Sequence, residues 1–183
     1  MVNYYTYIMV FLEDINKAIS LSEFERYFKK PHQTIRIHLQ NLVDAKILIE
    51  DKRERFIFYK INLNNPLTYE YISICEKQRL FDFLEKEIFN RLYLEMSNYF
   101  NHAKILLFGS VVNNKDYADI DMLIIADNKE ISKTLKKFEL TYFVKIHSVI
   151  TSEKNLTRTF VKELQKKHII FNSHEYFVRK LYS

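Results

Sequence analysis

The chain has 183 residues, 48% hydrophobic and 28% charged, with one cysteine and a formal net charge of +5. A single cysteine excludes an intramolecular disulfide framework and a thiolate metal site, no apolar run approaches the ~20 residues of a membrane span, and no stretch is polar and repetitive enough to read as disordered. Residues 1–65 carry 10 basic and 8 acidic side chains, residues 66–101 carry 4 and 6, and residues 102–183 carry 14 and 9, so two basic ends flank an acidic middle and favour a phosphate-bearing partner.

The first stretch, MVNYYTYIMVFLEDINK, lacks a basic n-region and meets Glu13-Asp14 directly after its apolar residues, so a signal peptide is not expected and a cytoplasmic protein is. Tyr4–Leu12 reads as a buried first helix. Ser20-Leu-Ser-Glu23 has capping-box spacing, and Phe24, Tyr27 and Phe28 continue it as a second helix ending at Lys29-Lys30. Pro31 breaks the chain and permits a third helix, with Ile35, Leu39 and Leu42 as its apolar stripe.

The other face of that third helix offers Gln33, Thr34, Arg36, His38 and Gln40, with no acid before Asp44. Amides and Arg pair with base edges, and a face free of carboxylates is not repelled by phosphate, so this helix suits a major groove. Ile37 is expected to pack on the hairpin that follows. That hairpin comprises Ile47–Glu50, a turn over Asp51–Arg55, and Phe56–Asn62, with Lys52, Arg53 and Arg55 at the tip. From Leu67 to about Phe100 the pattern is helical, as one helix or two, and its apolar stripe is a core or dimer seam. Cys75 reads as a small buried residue there.

Lys104–Phe108 is a short apolar run that predicts a buried strand, and it leads into Gly109, the only glycine of the chain, and Ser110. A glycine there permits positive φ and lets the backbone approach a bound group, and N–H groups with a hydroxyl can hold phosphate oxygens. Lys115, a few residues on, is a candidate phosphate contact, and Asn113-Asn114 a turn. In Tyr117–Ile125, a second strand, Asp119 and Asp121 fall at i and i+2 and face the same side. Two adjacent carboxylates repel one another, and a divalent cation shared with substrate phosphates relieves that. The combination predicts a site for NTP and Mg2+ suited to nucleotidyl transfer.

A helix over Glu130–Phe138 and a strand over Tyr142–Ile150 follow, with His147 on the strand and Glu139 as the nearest acid before it. Leu156, Phe160 and Leu164 mark a further helix. His168–Phe171 reads as a strand, Asn172-Ser173 as a turn with Asn172 in the left-handed region, and Glu175–Leu181 as a last helix. His168 and His174 read as surface or packing residues.

These pieces predict an α+β chain in three parts, 1–65, 66–101 and 102–183. The stretch PHQTIRIHLQNLVDAKILIEDKRERFIFYKI resembles a winged helix-turn-helix domain, which implies duplex DNA as a partner. Strand, Gly-Ser, excursion, then Asp-x-Asp on a second strand resembles the DNA polymerase β-like nucleotidyltransferase superfamily. NPLTYEYI, FGSVVNNKDYADIDMLII and KIHSVITSEKNL are similar to a prokaryotic group in which a winged helix and a helical linker precede a minimal nucleotidyltransferase domain with a mixed sheet. The resemblance implies Gly109 and Ser110 on nucleotide phosphates, Asp119 and Asp121 on Mg2+, His147 standing where the family has a third carboxylate, and an NTP such as ATP as substrate. It also departs from the family: Ser110 and Asp119 are separated by eight residues, slightly few, and Val111-Val-Asn-Asn-Lys115 stands where a small residue, an Arg and a second Gly usually follow. Two alternatives stand beside it. One is a DNA-binding regulator with a degenerate, nucleotide-sensing domain; the other is an antitoxin-like nucleotidyltransferase paired with a helical toxin. Homodimerisation is compatible with each, and a membrane partner with none.

Overall fold

The computed structural model describes residues 4–112, 118–126 and 130–183, and it is an α+β chain with two sheets. The chain separates into two compact units, Met1–Cys75 with Tyr182–Ser183, and Glu76–Leu181.

The first unit begins with two 3-10 turns, Tyr4–Tyr7 and Met9–Phe11, where a helix is expected from the apolar run. Tyr7, Ile8, Phe11 and Leu12 are buried, and Tyr4, Tyr5, Thr6, Met9 and Val10 are half-buried. Strand β1 (Ile19–Ser20) leads into α1 (Leu21–Phe28), whose start is the expected capping box: Glu23 N–H donates to the Ser20 hydroxyl, and the Glu23 carboxylate accepts from Ser20 N–H at 2.8 Å. Lys29 ends α1 in the left-handed region, with its N–H on the Glu25 carbonyl. Helix α2 (His32–Asp44) follows Pro31 and buries Ile35, Leu39 and Leu42.

Strands β2 (Leu48–Arg53) and β3 (Phe56–Ile61) pair antiparallel, and β1 joins the far side of β3, giving the order β1-β3-β2. The hairpin turn is tighter than expected. Asp51, Lys52 and Arg53 belong to β2, because Asp51 takes Arg53 and Lys60 as partners at 2.8 Å each and Glu54 absorbs the positive φ. Helix α3 (Pro66–Leu84) leaves the sheet. Cys75 is buried and its thiol donates to the Tyr5 carbonyl.

In the second unit, α4 (Glu87–Ser97) precedes a four-stranded mixed sheet of order β6-β5-β4-β7. Its strands are β4 (Lys104–Phe108), β5 (Ile120–Ile125), β6 (Ile146–Thr151) and β7 (His168–Ile170), and the β5–β6 pair alone is parallel. Ile105, Leu107, Ile120, Met122 and Ile124 point to one face and form a core with Phe89, Leu92 and Met96 of α4 and Ile131, Leu135 and Phe138 of α5 (Glu130–Tyr142). Helix α5 runs four residues beyond its expected end, and β6 starts at Ile146 rather than Tyr142. Phe143 leaves the helix at φ 55°, and the Glu139 carboxylate accepts from Ile146 N–H at 2.7 Å, tying the helix end to the strand. Helices α6 (Arg158–Lys166) and α7 (His174–Tyr182) flank β7 in sequence. Among the described residues no helix is long and apolar enough to cross a membrane.

Candidate functional site

Asp121 and His147 are partners in the β5–β6 ladder, so alternation along each strand sends both side chains out of the same face. Asp119 lies just ahead of β5, two residues from Asp121. The His147 Nδ1 is 3.0 Å from Asp119 Oδ2 and 3.7 Å from Asp121 Oδ1. One ligand atom from each of the three residues falls within 4.8 Å of the others, and the two carboxylates are half-buried. Burial first, and the neighbouring Asp119 charge second, push the Asp121 carboxyl above its ordinary range, with His147 opposing. Two carboxylate oxygens and an imidazole nitrogen make a donor set that can hold a divalent ion.

Phe108, the last residue of β4, is opposite Asp121 on its other side, and the chain then turns through a 3-10 segment, Gly109–Val112. Gly109 has φ +77°, and a Cβ there would lie 2.5 Å from Asp121 Oδ2. The close approach that requires glycine is therefore to the Asp121 carboxylate, an internal contact that the expectation of a phosphate contact did not include. Ser110 follows in the same turn and is half-buried. Phe160 of α6 sets its ring edge-on to Phe108, with centroids 5.7 Å apart. Lys115 and the Asn113-Asn114 turn lie outside the described residues. Glu139, the other candidate for a third position, is turned to the Ile146 N–H.

In the first unit, Gln33, Arg36 and Gln40 are exposed on α2 and Thr34 is half-buried. Gln40 donates to Asp44 at 2.9 Å. Ile37 is 60% exposed and does not pack on the hairpin, because it shares the outer face with Gln33, Arg36 and Gln40 while Ile35 and Leu39 take the inner one. His38 is corrected in the other sense. Its ring lies 5.8 Å from that of Tyr4 and 5.2 Å from that of Tyr7, and its Nδ1 is buried, so it belongs to the aromatic packing rather than the open face. On the hairpin, Arg53 is held by Asp51 and lies over the Phe58 ring, Lys52 is 3.7 Å from Glu50, and Arg55 sits in the exposed turn.

Of the two residues expected at the surface or in packing, His168 packs, and it does so against a polar group that escaped the reading of the sequence, Glu76. His168 is fully buried, its Nε2 3.2 Å from Glu76, which is itself buried and paired with Arg79 at 3.0 Å. Arg79 also donates to the His168 carbonyl. A glutamate in an amphipathic helix reads as surface, and no local spacing links positions 76 and 168. Compared with family models, with curated proteins and with solved structures, the chain finds no match in any of the three.

Proposed function

We propose that the second unit is a divalent-metal-dependent nucleotidyltransferase, moving a nucleoside monophosphate from an NTP, ATP foremost, to an acceptor. The observation that carries this reading is the convergence of Asp119, Asp121 and His147 beside the Gly109 turn at one end of β5. Asp119 and Asp121 would hold the ion, Mg2+ on the superfamily likeness, which when bound supplies charge neutralisation at the α-phosphate. The N–H groups and the Ser110 hydroxyl of the 109–112 turn would take phosphate oxygens. The acceptor oxygen then bonds to the α-phosphorus as the bond to the β-phosphate oxygen breaks, pyrophosphate leaves, and the acceptor proton is released to water. A mixed sheet carrying the Gly-Ser turn and the Asp-x-Asp strand on adjacent strands supports the likeness to polymerase β-like nucleotidyltransferases. The test is transfer of label from [α-32P]ATP, with Mg2+, into cell extract. Label is expected on an acceptor and at least ~100-fold less with Asp121→Asn; undiminished transfer by that variant ends the proposal.

The first unit reads as a winged helix that binds duplex DNA, supported by the outward Gln33, Arg36 and Gln40 and the hairpin behind them. Duplex affinity is expected to fall with salt, and Arg36→Ala to cost about 1–3 kcal/mol. Binding that ignores both salt and the substitution removes this part. One observation favours a second reading, a regulator that senses nucleotide without transfer: an imidazole and not a carboxylate completes the cluster, and Glu139 is engaged elsewhere. ATP binding with no labelled product identifies that case.

A further inference from the structure

Mg2+ is served by one or two carboxylates, water and substrate phosphate, and an imidazole adds little to such a site because the ion prefers oxygen and gives up water reluctantly. His147 is nevertheless aimed into this one. Its Nδ1 is 3.0 Å from the Asp119 oxygen, the roughly 3 Å that separates neighbouring ligands on an ion at about 2.1 Å, and 3.7 Å from the Asp121 oxygen, somewhat wider. The aim is built into the fold, since the parallel ladder fixes His147 directly beside Asp121. The missing side chain at Gly109 leaves room for the Asp121 carboxylate on its other side, where a Cβ would fall 2.5 Å from Oδ2.

We propose that His147 ligates the metal through Nδ1 and that the resulting two-carboxylate, one-imidazole set selects a first-row transition dication over Mg2+. The inference rests on the metal reading above and deepens it. Imidazole is a donor that such ions bind well, whereas the affinity of oxygen-only sites for Mg2+ depends on charge and size alone. Nothing in this step depends on whether transfer occurs.

Mn2+ is the probe. The full chain is titrated with Mn2+ by electron paramagnetic resonance, alone and with a non-hydrolysable ATP analogue, and then competed with Mg2+. Mn2+ is expected to bind at least ~10-fold more tightly than Mg2+ and to show nitrogen hyperfine coupling in the pulsed spectrum. His147→Ala should abolish the coupling and weaken Mn2+ by about 10- to 100-fold while changing Mg2+ far less. His147→Asp should restore binding and narrow the preference. Asp121→Asn identifies the ion at this site by removing it. Bound Mn2+ without nitrogen coupling, or Mn2+ affinity unchanged in His147→Ala, overturns ligation by His147 and leaves a two-aspartate site standing. Failure of Mn2+ and Mg2+ alike to bind, with or without the analogue, overturns this inference together with the metal-dependent reading above. Should His147→Ala not fold, the coupling in the native chain decides.

Discussion

Gly109 and the Asp121 carboxylate occupy adjoining space, and that contact adds to a backbone angle, φ +77°, beyond the range of the non-glycine residues in the left-handed region. Lys29, Lys46, Glu54, Phe143 and Ser173 all adopt positive φ without being glycine. This chain therefore tolerates the left-handed region in ordinary residues, at a cost of order 1 kcal/mol each. What position 109 alone presents is a Cβ that would meet Asp121 Oδ2 at 2.5 Å. Gly109→Ala is expected to destabilise the fold by about 1–3 kcal/mol, through the strained φ and the displaced carboxylate. Metal affinity should fall with it. Urea denaturation reads the first effect and Mn2+ titration the second, and a variant as stable as the native chain with unchanged affinity contradicts the contact.

At the scale of elements, the junction of β4 with its neighbours depends on one amide. Asn172, buried after β7, accepts from Ile105 N–H at 2.8 Å and donates to the Ala103 and Phe100 carbonyls at 2.7 and 3.1 Å. The left-handed residue of this turn is Ser173 at φ 56°, not Asn172 as its residue type suggests, because the amide is committed to those three backbone groups. Asn172→Ala leaves them buried without partners and should cost about 2–4 kcal/mol, read as a lower denaturation midpoint at unchanged slope. A loss under 0.5 kcal/mol would mean that water replaces the amide freely. Other elements were legible from local pattern. The capping box at Ser20–Glu23, the stripe of α2 and the strand Lys104–Phe108 all appear where spacing and composition put them. The α5–β6 boundary was not legible. Tyr142-Phe143-Val144 is β-prone by composition, yet the bond from Ile146 N–H to Glu139 holds the chain in helix through Tyr142. Propensity acts residue by residue, whereas that hydrogen bond joins the helix to the strand that follows it.

Over the whole molecule, acid sensitivity should report a half-buried histidine. His174, at the start of α7, is held down at about 4, first by burial and then by Lys77, with Glu76 opposing. An unfolded histidine takes its proton near pH 6.5, so between pH 6.5 and about 4 the unfolded chain binds a proton that the folded one does not. This contribution is complete above pH 6.5 and is lost as pH falls towards 4, on the order of 2 kcal/mol after allowance for the ring's partial exposure. Midpoints measured from pH 7 to 4 should decline, and His174→Gln should flatten that part of the curve. A curve identical in the variant assigns the loss to other groups. Glu23 and Asp51 contribute separately: their carboxyls are lowered by Ser20 N–H and by Arg53 and Lys60 respectively, so their stabilisation is lost at lower pH, towards 2 for Asp51.

The sequence by itself determined the α+β class, most of the helices and strands, and the candidacy of Asp119, Asp121 and Gly109, because periodicity, caps and an i, i+2 pair on a strand act between near neighbours in the chain. The tertiary structure alone decided which residues meet across the chain. It paired His147 with Asp121, turned Glu139 away, drew His38 into the aromatic packing and buried Glu76 against His168. Apart from Glu139, whose partner lies 7 residues on, those outcomes depend on strand register or on contacts between elements distant in sequence, where burial and hydrogen-bond satisfaction outweigh local preference.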